Sequence, residues 1–376
     1  MDVVQIVGAG GIGCAVGYAL CAAGVRVTFV EQNPAKVAAG QRDGVRVDER
    51  SPHPAEFIHF DDWKPLAGVP VLLCTKCYDN AAVLAKLQHG VELIPIQNGF
   101  DSQLDAFGHT TEGIASFVSE CDADRPHTRI TRKGELHLGM RTSLRPLSSG
   151  SFPPTVSQSL DTSPTRGEDK NRERVSLFLP SPLVGEGGES SSRVGGKPFP
   201  AERLAGSSKR ERLFSVVHVA DISPIKHSKL MYNAAISPLA AAAGIDNGQL
   251  LSVPVARRLF FALLQENHRI LSAADIQLGK VGPFHPSTVA WILRQKWLAS
   301  VMAKFFEPSL RGTYCSMAGE IQKGRTEIDN YNGHLIRLAE QTGTPCPLNR
   351  MVFELVTRMT AARTMPARDV LNTLIS

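Results

Sequence analysis

Gly8-Ala9-Gly10-Gly11-Ile12-Gly13, set between two hydrophobic runs, restricts the fold of this chain more than any other stretch. Residues 2–7 before it read as a short buried strand. Cys14 to Ala23 after it reads as a helix of small residues closed by Gly24, and Val25 to Val30 as a second strand. Strand, glycine turn, helix and strand within about 30 residues make a βαβ unit, the context in which G-x-G-x-x-G carries meaning. Gly8 permits the tight turn, Gly10 a close approach of backbone to a pyrophosphate, and Gly13 close packing of helix on strand. The helix N-terminus then presents free N–H groups to phosphates. The expectation is a dinucleotide held at Gly8, Ala9, Gly10, Gly11, Ile12 and Gly13.

Glu31 ends the second strand, where a carboxylate accepts from ribose hydroxyls and repels a 2′-phosphate. Val69 to Cys74 and Val91 to Ile96 read as further strands, with a helix over Asn80 to Gln88 between them. Lys76 and Asn98, just past the strand ends, are expected to face the ligand-binding edge of the sheet. Ile114 to Ser119 and Lys133 to Met140 read as later strands.

The chain has 376 residues, 43% hydrophobic and 20% charged, with a net charge of +5. That is long enough for two domains and too weakly basic to suggest nucleic-acid or anionic-membrane partners. Eleven Lys and Arg against eight Asp and Glu lie between Leu144 and Arg212, so this stretch supplies most of the excess. Seven cysteines without framework spacing favour a reducing compartment. Cys74 and Cys77 form a CxxC, but no second Cys/His pair lies near at metal-ligand spacing, so no metal is expected. No apolar run approaches the ~18 residues needed to span a bilayer, and the N-terminus enters a strand directly. The expected location is the cytoplasm.

From about Ser143 to Ser208 the composition shifts. Residues 148–200 are roughly half Ser, Gly and Pro, which buries too little apolar surface to offset ordering. This reads as an insertion without a catalytic part. The next run, from Leu213 to Ala220, reads as the last strand, after which the pattern is helical to the end. On the helix beginning at Pro224, Lys229, Asn233 and Ser237 recur at i, i+4 and i+8 and share one polar face. Further on lie Ser316, Glu320 and the run Lys323 to Asp329. Thr326 with Asp329 suggests a capping box that would put Glu327 in a first helical turn, where a carboxylate is stabilised.

Together these residues resemble the ketopantoate reductase family: GAGGIG, Lys76 after a strand, Gln97-Asn98-Gly99, Lys229 to Asn233, Ser316-Met317 with the downstream Glu327 segment, and Pro345 to Asn349. The resemblance implies an α/β plus all-α architecture, a Rossmann-type dinucleotide-binding domain followed by a helical C-terminal domain. The expected limits are 1–143 for the first domain, 144–208 for the insertion, 209–223 for the last strand and 224–376 for the helical domain. It implies NADPH or NADH as cofactor and reduction of a small 2-oxo acid, ketopantoate to pantoate, serving pantothenate synthesis. Lys229 would be the general acid, and Glu327 would orient the lysine or hold a substrate hydroxyl. Asn98, Asn233, Ser237 and Ser316 would hold substrate; Lys76, Asn98, Glu31, Gln32 and Glu327 would contact the cofactor. Oligomeric state stays open, a homodimer included. Departures from the family pattern are Glu31-Gln32 where an arginine usually follows the second strand, Ser237 for a second asparagine, Glu320 for an aspartate, and an Arg325–Glu327 spacing one residue short. Another branched 2-oxo acid as substrate, or a non-catalytic dinucleotide-binding paralogue, are the competing readings.

Overall fold

The computed structural model describes residues 2–88, 90–141 and 213–375; the expected insertion at 144–208 lies outside the described residues. The N-terminal half is built on a five-stranded sheet in which every pair is parallel, ordered β4-β2-β1-β5-β6. Its strands are β1 (Val3–Val7), β2 (Arg26–Glu31), β4 (Glu56–His59), β5 (Val71–Leu73) and β6 (Leu93–Pro95). Val4, Ile6, Phe29, Leu72 and Ile94 face one core, and Val7, Val30, Val71 and Leu73 the other. Burial on both faces explains the unbroken apolar runs.

Helix α1 (Gly11–Ala22) can lie against this sheet because its residues are small. A Cβ on Gly17 would stand 2.2 Å from the Phe29 ring. Helix α2 (Pro34–Asp43) starts under an Asn33 cap, whose side chain accepts from the Ala35 and Lys36 N–H groups, with Pro34 in the first turn. The helix read at Asn80 to Gln88 is α3 (Asn80–Leu84), led in by a 3₁₀ turn at Cys77–Asp79; α4 spans Ser102–Phe107.

The single strand read over Ile114 to Ser119 is two. Strand β7 (Thr111–Ala115) pairs with β10 (Glu135–Met140), while β8 (Val118–Cys121) joins β9 (His127–Arg132) and β3 (Arg46–Val47) in a second small sheet. The chain breaks at Ser116, whose N–H and hydroxyl both bond to the Glu135 carbonyl. Phe117 there leaves the ladder to stack on Phe214 at 4.7 Å. Strand β11 (Ser215–Asp221) then runs parallel to β10, across the undescribed stretch, and leads directly into the C-terminal half.

That half is helical. Helix α5 (Ser223–Ala243) is its axis, with Leu230, Met231, Ala234, Ala235 and Leu239–Ala243 all buried. On it pack α6 (Gln249–Ser252), α7 (Pro254–Ala273) and α11 (Pro347–Ala361); α8 (Pro286–Arg294) and α10 (His334–Thr342) lie against α7, and α9 (Lys296–Leu310) against α6. A buried polar network ties them. Asn349 donates to Glu266 (2.9 Å) and Asn267 (2.8 Å) and accepts from Asn332 (2.9 Å), which also donates to the Ala234 carbonyl. The late Pro345–Asn349 segment therefore holds the bundle together through Asn349, whose amide is bonded on both sides, while Asn332 Oδ1 is buried without a partner among the described residues.

The capping box expected at Thr326 does not form. A π-helical turn, Asp329–Gly333, precedes α10 without a side-chain cap, and Asp329 instead accepts from Arg337 at 2.9 Å. The Glu327 side chain is drawn toward the first half, and its carbonyl accepts from the N–H groups of Asn330 and Tyr331. The halves meet here: Phe100 and Asn330 exchange two hydrogen bonds, at 3.0 and 2.9 Å. Among the described residues no helix is long and apolar enough to cross a membrane.

Candidate active site

The carboxyl ends of β1, β2 and β5 open onto a cavity of about 530 Å3. Gly8, Gly10, Gly11 and Ile12 line it; Ala9 is buried and, like Gly13, stands behind. Gly8 has φ +98°, which glycine alone adopts cheaply. A Cβ on Gly13 would stand 2.0 Å from the Gly8 carbonyl oxygen, whereas one on Gly10 would meet nothing within 4 Å. The turn is thus packed from behind and open in front. Helix α1 has no side-chain cap and no acidic residue in its first turn, so its N–H groups and positive end are free for an anion.

Glu31 is fixed at the rim. Its carboxylate accepts from the N–H groups of Ala9 (3.0 Å), Gln32 (2.9 Å) and Asn33 (3.0 Å) and keeps lone pairs for further hydroxyl donors. Gln32 lies beside it on the wall. Asn98 also lines the cavity, and its Oδ1 is buried without a partner, which leaves it one hydrogen bond short.

Lys76 and Glu327 meet across the two halves. The lysine donates to Glu327 (2.9 Å), to Glu320 (2.7 Å) and to the Ser316 carbonyl (2.7 Å). Glu327 is buried and also accepts from the Cys77 N–H (3.2 Å) and the Tyr331 hydroxyl (3.3 Å). Burial works against the Lys76 charge, but Glu327 and then Glu320 outweigh it and hold its pKa above the usual lysine value. Burial raises the Glu320 carboxyl, Lys76 notwithstanding. Ser316 lines the cavity, its hydroxyl 3.3 Å from that of Tyr331. Arg325, which also lines it, lies over the Tyr78 ring at 4.7 Å and pairs with Asp79 at 3.3 Å.

Lys229, Asn233 and Ser237 do not line this cavity. Lys229 projects from α5 and donates to the Ala115 carbonyl at the end of β7. Among the described residues no carboxylate partners it, and burial pushes its pKa down to about 8. Four residues past Ala115, Ser119 does line the cavity and packs on Gly11. Asn233, one turn along α5, is half-buried and its side chain bonds to no described residue; Ser237 is buried. One turn before Lys229, Lys226 is buried in a pair with Glu112 (2.7 Å), which His109 also contacts at 2.5 Å. That pair ties α5 to β7. Burial raises the Glu112 carboxyl, but Lys226 and His109 outweigh it and pull it down to about 2.

Residues that the sequence did not single out are Ser119, Tyr78, Asp79, Tyr331 and the Glu320–Lys76 contact. Of these only Glu320 carried a signal, as a lone acid in an otherwise apolar and small-residue turn.

Comparison with known proteins agrees with this arrangement. Residues 4–142 match the family described as ketopantoate reductase PanE/ApbA, and residues 221–360 its C-terminal part. The 2-dehydropantoate 2-reductase of Pyrobaculum aerophilum is 31% identical over 156 residues, 42% of this chain and 48% of that one. The chain spans about half the length, or less, of the curated relatives it matches. Two solved structures share the fold with a TM-score of 0.66 over 97% of this chain and 100% of their own: a PanE/ApbA family ketopantoate reductase from Ralstonia eutropha, 19% identical, and a D-mandelate dehydrogenase with NADH and anilino(oxo)acetate, 14% identical. With both halves matched in chain order, the chain belongs to the ketopantoate reductase family.

Proposed function

We propose that this protein reduces ketopantoate to pantoate with NADH or NADPH, Lys229 acting as general acid. The observation that carries the reading is the state of Lys229: desolvated, with no carboxylate beside it among the described residues, its pKa pushed down to about 8, on the helix that abuts the end of β7, four residues before Ser119 of the cavity wall. An amine in that state gives up its proton near neutral pH, and its charge stabilises an oxyanion.

The cavity fits a dinucleotide, being open at Gly10, uncapped at the α1 N-terminus and short of a partner at Asn98. Gly8 to Gly13 would hold the pyrophosphate and Glu31 and Gln32 the adenine ribose; Asn98, Lys76 and Glu327 would lie toward the nicotinamide. The reduced nicotinamide, when bound, supplies the hydride. Lys229 leaves the Ala115 carbonyl, bonds the ketone oxygen and delivers a proton as that oxygen gains charge. Asn233, whose amide bonds to no described residue, holds the substrate's hydroxyl or carboxylate alongside Ser237 and Ser316. Glu327 keeps Lys76 and the two halves in register.

The test is NADH and NADPH oxidation with ketopantoate and a panel of branched and aryl 2-oxo acids, comparing wild type with Lys229→Ala. Ketopantoate turned over best, with the variant down ~10²–10⁴-fold, is the expected result. The likeness to D-mandelate dehydrogenase, with Ser237 shortening one reach from α5, supports a second reading, another branched or aryl 2-oxo acid. Failure with every 2-oxo acid alongside intact cofactor binding leaves the non-catalytic paralogue. We further propose that the enzyme is cytoplasmic, that it needs no nucleic acid or membrane, and that catalysis resides in residues 1–143 and 209–376. Light scattering decides between monomer and homodimer.

A further inference from the structure

Three donors converge on the Ala9 carbonyl, inside the glycine turn. Cys14 Sγ lies 3.2 Å from that oxygen, Lys36 Nζ 3.3 Å and Cys121 Sγ 3.5 Å. The two sulfurs are 4.0 Å apart, and Lys36 Nζ is 3.8 Å from that of Cys121. None of the three side chains lines the cavity. Cys14 and Lys36 are buried, while Cys121 is partly exposed. Helix α1 and strand β8 are in close contact one turn earlier, where a Cβ on Gly11 would stand 2.6 Å from Ser119 Oγ. A disulfide needs its sulfurs at about 2.05 Å, so they must close by about 2 Å, which side-chain rotation with a small shift of α1 provides.

We propose that Cys14 and Cys121 form a peroxide-sensitive dithiol that controls how firmly the glycine turn holds its dinucleotide. Cys121 is the attacking thiol, since it reaches solvent and has an ammonium beside it, and thiolates form in electropositive, accessible places. The Cys14 hydrogen bond, and then Lys36, draw its thiol below the usual range against the effect of burial. Its thiolate attacks hydrogen peroxide. The O–O bond breaks, an S–O bond forms, and the departing hydroxide takes up a proton as water, leaving a sulfenic acid. The Cys14 sulfur then attacks that sulfur. The S–O bond breaks, the S–S bond forms, and hydroxide leaves with the Cys14 proton as a second water. Two thiols are oxidised by two electrons and one peroxide is reduced to two waters.

The disulfide removes both S–H donors from the Ala9 carbonyl and draws the first turn of α1 toward β8. The Ala9 N–H holds the Glu31 carboxylate, so displacement of Ala9 reaches the rim as well as the phosphate cradle. This consequence rests on the dinucleotide reading above; the cross-link does not.

The test treats the full chain with graded hydrogen peroxide, in wild type and with Cys21→Ser, which removes the other thiol of the N-terminal tryptic peptide. Unreduced digests are analysed by mass spectrometry, and NADH and NADPH binding is titrated by fluorescence before and after dithiothreitol. The expected result is a peptide pair joining Cys14 to Cys121 before other cysteines change, with binding about tenfold weaker, both reversed by reduction. Cys14→Ser stops at a sulfenic acid on Cys121 that dimedone captures. Direct passage of Cys121 to sulfinic acid in the wild type, or a cross-link that leaves affinity unchanged, overturns the proposal. Reduced protein that binds neither nucleotide removes the cofactor reading and the control with it, and the mass result separates that failure from failure of the dithiol.

Discussion

Lys229 is the residue whose environment makes the sharpest demand on experiment. With its pKa near 8, about nine-tenths of the amine is charged at pH 7 and about one-tenth at pH 9. A step that needs its proton must slow about tenfold over that interval. A lysine at its ordinary value would stay charged throughout and give no slope. The assay is kcat/KM for ketopantoate from pH 6 to 10, at saturating NADH or NADPH. The same burial predicts a stability effect. The folded pKa lies below the unfolded one, so the unfolded chain binds more protons between pH about 8 and about 10.5, and stability rises with pH through that window. A depression of about 2.5 corresponds to roughly 3 kcal/mol. Discounting for the partial exposure of the side chain, and for the ~1 kcal/mol bond to Ala115 that a substitution forfeits, leaves roughly 1–2 kcal/mol. Lys229→Met is therefore expected to be inactive yet more stable at pH 7 by that amount in urea unfolding. A flat pH profile to pH 10, or a Met variant less stable than wild type, would refute this account of the lysine.

Other outcomes follow from the cavity wall and the turn. Lys76→Met leaves Glu320 and Glu327 buried without their cation and is expected to lose ~3 kcal/mol in denaturant unfolding, with weaker NADH binding by titration. Glu31→Ala with Gln32→Arg removes the carboxylate at the rim and supplies a 2′-phosphate partner; the NADPH-to-NADH ratio of kcat/KM rises, and an unchanged ratio places ribose recognition elsewhere. Gly13→Ala puts a Cβ 2.0 Å from the Gly8 oxygen, so it costs ~2 kcal/mol or more, read as a lowered melting temperature and lost cofactor binding. Deleting residues 148–200 leaves kcat/KM nearly unchanged; a folded but inactive deletion would show that the stretch takes part.

The parallel sheet and the glycine turn were legible because their signals are local. Buried strands need unbroken apolar runs, and a turn with one positive φ and one close approach needs glycine at fixed offsets. Lys229, Asn233 and Ser237 could be placed on one face because helical periodicity is a sequence property. What failed depended on distant partners. Residues 114–119 look like one strand, and only the Glu135 carbonyl and the Phe214 ring, neither adjacent in sequence, divide it. Thr326 and Asp329 have capping-box spacing, but Lys76 and the Cys77 N–H, some 250 positions away, claim Glu327 and set the turn. The Glu320–Lys76 pair was invisible for the same reason. The sulfurs of Cys14 and Cys121 are 107 positions apart, and no spacing rule connects them.

Lys76 and Lys229 give the strongest argument about roles, because their surroundings push them in opposite directions. Lys76 is met by two carboxylates and a carbonyl, which keep it charged above its usual range. It can bridge the halves and meet an anion, but it releases no proton at working pH. Among the described residues Lys229 has a carbonyl as its partner and a dry setting, so its charge is held weakly. Groups of one kind whose environments separate their pKa values have separable roles: Lys76 holds and Lys229 transfers. The assignment is also asymmetric under mutation. A carboxylate placed beside Lys229, by Ala115→Asp for instance, should raise its pKa and carry the alkaline limb of the pH profile upward while slowing the reaction at pH 7. The same limb should not move when Glu320→Gln removes one of the two acids from Lys76.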